Sequence, residues 1–164
     1  MAEFTIVLIP EDRYFVPAEG AVAAAKSRIE DYFSCRGYDV ETLVSAHPHF
    51  VSGNDSFEQL SCPQCGESVM RFDLEEDDDG YTWWDRFEQT LGEAEDAASV
   101  SVNMPCCGKD VAVNDIDFGQ DAGIARFELS LRDPGDDIEV NDKQKSNLES
   151  ILGCSLIQII RVDS

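Results

Sequence analysis

Four of the six cysteines fall in two compact clusters, Cys62-Pro63-Gln64-Cys65-Gly66 and Met104-Pro105-Cys106-Cys107-Gly108. Thiols paired so closely are metal ligands in a reducing compartment and disulfide partners in an oxidising one. In the first cluster proline fixes the turn, and glycine permits the tight backbone behind the second thiolate. Two such knuckles on facing hairpins make a zinc ribbon, which holds Zn²⁺ tetrahedrally through sulfur. Laid over the first cluster, the second matches at Pro105, Cys107 and Gly108. Met104, however, stands where the first cysteine belongs, and Cys106 fills the gap position. Three arrangements fit these residues. All four thiolates of Cys62, Cys65, Cys106 and Cys107 could share one structural Zn²⁺, provided the backbone bends between the adjacent pair. Three cysteines could be completed by His47 or His49. Without a metal, the adjacent pair would be a vicinal disulfide or the remnant of a lost site. The four-cysteine zinc site is the expectation carried forward.

Other chemistry has less to stand on. A catalytic zinc needs an open coordination position and a nearby base, and the chain has no His-Glu-x-x-His or His-x-Glu arrangement. There is no serine elbow, and neither His47 nor His49 lies beside a candidate nucleophile. Paired carboxylates carry little meaning among 34 acidic residues. Cys35 and Cys154 read as small core residues, and His47-Pro48-His49 as a loop pair. A non-catalytic protein is therefore expected.

Charge points to the kind of partner. With 12 Lys+Arg against 34 Asp+Glu, the net formal charge is −22. Such a surface repels nucleic acid phosphates and anionic membranes, and attracts basic proteins. The run Glu75-Glu76-Asp77-Asp78-Asp79 leads through Gly80-Tyr81-Thr82 to Trp83 and Trp84. It lacks the spaced ligands and closing Glu of an EF-hand. Acids to steer approach, with an aromatic anchor beside them, make a protein-binding surface. Glu75, Glu76, Asp77, Asp78, Asp79, Trp83 and Trp84 are the expected contacts, with one tryptophan inward and one outward.

These residues need a scaffold. Phe4–Ile9 is a β-branched run ending at Pro10, and reads as a buried strand. Pro17 opens a helical stretch with Val22, Ala25, Ile29, Tyr32 and Phe33 inward and Gly37 as its left-handed cap. Tyr38–Val44 is a second strand. Ala125, Phe127, Leu129 and Leu131 alternate with Arg126, Glu128, Ser130 and Arg132, a half-buried strand. Asn141 caps a helix that presents Leu148, Ile151 and Leu152 and stops at Gly153. Leu156–Val162 is the last strand.

Two β-α-β halves imply an α+β fold with a ferredoxin-like sheet. Residues 1–45 and 124–164 form its core. Residues 46–123 form an inserted zinc-ribbon-like subdomain, with strands at Val69–Leu74 and Ala98–Val102 and a helix at Thr82–Glu95. The clusters lie 40 residues apart, against a usual ribbon spacing of about 15–20. No internal repeat is evident beyond the rough symmetry of the halves. At 164 residues the chain is about one domain, able to bury roughly 70% of its unfolded surface without disulfide staples. Met1-Ala2-Glu3 opens directly into a strand-like run, so the expected location is the cytoplasm.

From Leu60 onward, about two thirds of the chain resembles an uncharacterised bacterial family of zinc-ribbon-like proteins. The residues carrying the likeness are Cys62-Pro63-Gln64-Cys65-Gly66, Trp84, Pro105-Cys106-Cys107-Gly108, Asn114–Phe118, Gly123–Phe127 with Asp133-Pro134, and Ile151-Leu152-Gly153. The adjacent cysteine pair is a feature of that family, which implies that both sulfurs matter. No activity comes with the resemblance. Some members are labelled sugar transporter ATPases, yet this chain has no Gly-x-x-x-x-Gly-Lys-[Ser/Thr] phosphate loop.

Function follows from charge rather than from motif. The expectation is an immunity or antitoxin-type inhibitor whose acidic surface occludes a basic toxin or effector. Its alternative is a zinc-ribbon adaptor or regulator. A third reading makes Cys106-Cys107 a reactive pair in metal or small-molecule handling.

Overall fold

Strand β1 (Glu3–Pro10) is buried on both faces from Ile6 to Ile9, as its unbroken β-branched run requires. The computed structural model describes residues 2–34 and 39–164. Ile6 and Leu8 face two helices, α1 (Glu19–Phe33) and α3 (Asp142–Leu152), and share a core with Ala25, Ile29, Leu148 and Leu152. Val7 and Ile9 face the other way, onto Val51, Ala125 and Ile159. Around β1 the main sheet runs in the order β2-β7-β1-β8, with β2 (Val40–Ser52), β7 (Ala122–Arg132) and β8 (Leu156–Asp163), every pairing antiparallel. The chain is thus a mixed α+β protein.

Local signals place the helices. Asn141 caps α3 reciprocally with Gln144, and Gly153 closes it at φ 79°. Helix α1 ends one turn earlier than expected, on Ser34 at φ 49°. Gly37 and Tyr38, read as cap and strand start, and the single Cys35 lie outside the described residues. In β7, Phe127, Leu129 and Leu131 alternate as expected, but Ala122 to Ala125 are buried without a break. There Ala122 and Ile124 enter a second core, built by the excursion between β2 and β7.

That excursion is shorter than the sequence pattern implies. Strand β2 does not end at Val44: it resumes pairing at His49 and continues to Ser52, while β7 begins at Ala122. The intervening segment is therefore 53–121. Pro48 has no N–H to give a ladder. Accordingly the register jumps from Val44↔Phe127 to His49↔Ala125, and Arg126 Nε donates to the displaced Ser45 carbonyl at 3.0 Å.

Within 53–121 lie two small hairpins, β3 (Gln59–Ser61) with β4 (Ser68–Met70), and β5 (Ser101–Asn103) with β6 (Asp110–Ala112). Helix α2 (Trp83–Glu93) connects them and starts on a reciprocal Thr82/Asp85 cap. Two expected strands are cut short. β4 turns into a 3-10 helix at Arg71–Asp73, and Ala97–Ser99 is another, capped by Asp96, so that β5 starts only at Ser101. Phe57, Trp84, Phe87 and Phe118 fill the core of this unit, Phe57 and Trp84 lying 4.6 Å apart between ring centroids. No helix among the described residues is long and apolar enough to cross a membrane.

Candidate metal centre

Each hairpin carries its cysteines on the turn, and the two turns are built alike. Cys62 N–H donates to the Glu67 carbonyl at 2.9 Å, and Gly66 N–H donates to the Cys62 carbonyl at 3.0 Å. Met104 N–H donates to Lys109 and Gly108 N–H to Met104, both at 2.9 Å. Gly66 and Gly108 both sit in the left-handed region, at φ 75° and 72°, which glycine adopts without a Cβ penalty. The likeness extends beyond the turns. The strands and the 3-10 helices that follow, Arg71–Asp73 and Val113–Asp115, all repeat at an offset of 42 residues. Arg71 N–H bonds to Glu58 and Val113 N–H to Val100 at that same offset. The insert thus contains an internal repeat, 58–74 and 100–116, which the sequence pattern had not revealed. Only five of the residue types coincide across it, so the repeat is carried by backbone geometry rather than by identity.

The repeat brings four thiols together. The Sγ atoms of Cys62, Cys65, Cys106 and Cys107 all lie within 4.8 Å of one another. Cys62 faces Cys107 at 3.9 Å, and Cys65 faces Cys106 at 3.3 Å. A tetrahedral zinc with Zn–S bonds of about 2.3 Å requires sulfurs about 3.8 Å apart, so the donor set fits such an ion. Three of the four come from the knuckle positions. The fourth, Cys106, comes from the tip of the second turn, at the place of Gln64, because Met104 has turned into the core and is fully buried.

The thiols differ in acidity. Burial raises Cys62, but the N–H groups of Cys65 and Gln64, followed by the thiols of Cys106 and Cys65, outweigh it and hold Cys62 at about 7. Cys106 is pushed up to about 12, first by burial and then by its contacts with Cys65 and Cys62. The same amide donors that favour the Cys62 thiolate would neutralise part of its charge when it binds a cation.

The histidines are engaged elsewhere. His49 Nε2 pairs with Glu128 Oε2 at 2.5 Å, leaving its buried Nδ1 without a hydrogen-bond partner. His47 Nε2 lies 3.8 Å from Glu95. Cys154 is half-buried beside the helix-side core, and burial, with Glu149 and Asp12 nearby, raises its thiol to about 11.

The expected partner surface is only partly exposed. Glu75 to Asp79 all face solvent, but Asp77 is occupied by its own loop. Its Oδ1 accepts from the N–H groups of Asp79 and Tyr81, and its Oδ2 accepts from Arg86 Nε and Nη2 at 3.2 and 3.0 Å. Arg86 in turn lies 4.8 Å over the Tyr81 ring. Trp84 is 1% exposed and belongs to the insert core, so it cannot anchor a partner on this surface. Trp83 is half-buried, stacked on Phe87 at 4.8 Å, with Nε1 donating to the Asn103 carbonyl at 2.7 Å. Both tryptophans therefore fasten α2 to the insert, where an inward and an outward one were expected. The most exposed aromatic ring of the insert is Phe72, 74% exposed, which helical and strand periodicity had passed over. Aligning 58–74 with 100–116 would have singled it out, since Asn114 stands in its place.

The chain matches no protein-family model, no curated protein and no solved structure.

Proposed function

We propose that this protein is a non-catalytic acidic binding protein of the immunity or antitoxin type, which occludes the basic surface of a toxin or effector. The observation that carries this reading is the exposed run Glu75–Asp79. It projects from a loop that Asp77, Arg86 and Tyr81 hold in one conformation. A charged loop fixed in advance loses little further freedom when a partner binds, and its charge speeds the encounter with a basic surface. The net charge of −22 extends the same attraction over the rest of the molecule.

In this reading the four cysteines hold a structural Zn²⁺, the ion favoured by four thiolates at tetrahedral spacing. When bound it would cross-link the two hairpins and, with α2, make a rigid platform beneath the acidic loop. The sheet order β2-β7-β1-β8, with both long helices sharing one core, supports a ferredoxin-like base for that platform. Four cysteines free of disulfides persist best in a reducing compartment, which supports the cytoplasm.

The test is native mass spectrometry of the protein recovered from its own host. A one-to-one complex with a basic protein, carrying one zinc, is the expected result. Replacing Glu75, Glu76, Asp78 and Asp79 by their amides should then weaken the complex and lower its association rate. A complex that forms equally well with the neutralised loop would rule out this surface. A zinc-ribbon adaptor is favoured instead if the complex is insensitive to salt and lost on mutating Ser68 or Pro105. Those residues line a hollow of about 160 Å³ between the two hairpins, together with Val69, Met70 and Leu74.

A further inference from the structure

The two hairpins are alike in backbone, but only one of them is covered. In the second repeat, the 3-10 helix Val113–Asp115 packs against the body of the protein. Val113 and Ile116 are buried, and the Arg13 guanidinium from the loop after β1 donates to the Asn114 carbonyl and to Asn114 Oδ1. In the first repeat the equivalent residues are Arg71, Phe72 and Leu74, and Met70 replaces Ala112. Phe72 and Met70 are larger and more apolar than Asn114 and Ala112, yet both are exposed, and Leu74 is only half-buried where its counterpart Ile116 is buried. Solvent-facing apolar groups of this size, gathered at one corner, mark an interaction site. Met70 and Leu74 line the hollow between the hairpins, and the acids Glu75, Glu76, Asp78 and Asp79 follow directly in sequence.

From this broken symmetry we infer that the Met70–Phe72–Leu74 face is the docking surface for a partner segment that carries arginine beside an apolar side chain. The inference rests on the proposed acidic-inhibitor reading and names its contact. The occupant's chemistry comes from two features of the molecule. At the equivalent position of the second repeat the protein itself places an arginine. At the first, the Phe72 ring already accepts a guanidinium, that of Arg71, 5.6 Å from its centroid, an attraction between a cation and the face of an aromatic ring. A partner arginine would find carboxylates on one side and the ring on the other, while its apolar neighbour fills the hollow. Phe72 then takes the anchoring part first assigned to Trp83 and Trp84.

The experiment uses fluorescence anisotropy with the metal-loaded full chain and two labelled synthetic peptides of equal length and charge. One alternates arginine with leucine, and the other alternates arginine with serine. At about 0.15 M salt the arginine–leucine peptide should bind more tightly. Phe72→Ser should weaken that peptide by about tenfold or more, as expected for an aromatic anchor, and move the arginine–serine peptide by less than about twofold. Because Phe72 is exposed, the variant should keep its melting temperature and metal content. Unchanged binding of the arginine–leucine peptide to Phe72→Ser overturns the proposal while leaving the acidic-inhibitor reading intact. Failure of both peptides to bind, even at low salt, overturns the two together. A native mass spectrum in which the wild type is a dimer and Phe72→Ser a monomer overturns the assignment to a basic partner, because a second copy then covers the face.

Discussion

Met104 occupies, in the second hairpin, the place that Cys62 holds in the first: each donates its N–H five residues ahead and accepts from the glycine four residues ahead. Cys62 keeps its sulfur in the thiol cluster, whereas Met104 spends its side chain on the insert core and Cys106 supplies the missing donor. Moving the thiol back should therefore be tolerated. Cys106→Ser should lose the metal, and Met104→Cys combined with Cys106→Gln should regain it at one ion per chain. The double variant should melt lower, since trimming a buried methionine costs about 2–5 kcal/mol in the extreme of alanine. Metal analysis after gel filtration, set beside a thermal melt, checks both. A double variant without metal would show that Met104 cannot turn its side chain to the cluster.

Removing the ion should loosen the insert more than the sheet. An ion held by the four cysteines would join hairpins of three-residue strands, too short to be stable alone, whereas β1, β7 and β8 carry their own cores on both faces. A strong chelator should expose four of the six thiols to a thiol reagent together, because coordinated thiolates are released as a set. Trp83 and Trp84 both lie in the insert, so tryptophan emission should shift red while most strand signal in circular dichroism persists. Stepwise release of thiols, or loss of all strand signal with the metal, would contradict this division.

The main sheet was largely legible in the sequence because its signals are local. The buried run of β1, the alternation of β7 and the Asn141/Gln144 cap each declare themselves within a few residues. The end of β2 did not, since Pro48 reads as a terminator and only pairing with β7 shows the strand resuming at His49. The four cysteines were visible by type and spacing, but that the adjacent pair both reach the cluster depends on where Met104 points. The Glu75–Asp79 run was visible as well, yet Asp77 is held by Arg86 on the following helix. Trp84 lies in the core rather than on the surface, which the sequence did not reveal, because a tryptophan beside a charge run looks the same whether or not a core of Phe57, Phe87 and Phe118 waits beneath it.

The two adjacent tryptophans should respond differently to truncation. Trp84 is enclosed, with Nε1 donating to Glu88 Oε1 at 2.9 Å, and Trp84→Ala should cost about 3–5 kcal/mol, the range for large aromatic cores. Trp83→Ala removes one stacking contact and the bond to Asn103, and should cost about 1–2 kcal/mol. Urea unfolding followed by circular dichroism measures both. Equal losses would mean that Trp83 is as fully enclosed as Trp84.

Asp77 makes the order of the acidic loop depend on pH. The Tyr81 N–H is the largest influence holding its carboxyl below the usual value of 3.8; the Arg86 side chain and the Asp79 N–H act in the same direction, against some desolvation. A carboxyl whose pKa is lower folded than unfolded contributes stability that is complete above its unfolded value. That contribution fades as pH falls from about 3.8 through the lowered folded value. The loop should therefore keep one conformation at neutral pH and lose it in acid, before or together with global unfolding. In an NMR titration the Tyr81 and Asp79 amide resonances should move with one midpoint, lower than that of a solvent-exposed aspartate. Asp77→Asn should abolish that shared midpoint and weaken the Arg86–Tyr81 stack at neutral pH, because the amide removes the negative charge that holds the guanidinium in place. Basic-peptide binding to this variant should fall by more than the loss of one charge in five would give, since the four remaining acids are then presented from a mobile loop rather than a fixed one. A decrease no larger than that of Asp78→Asn, measured on the same peptide, would show that the staple orders the loop without serving the surface.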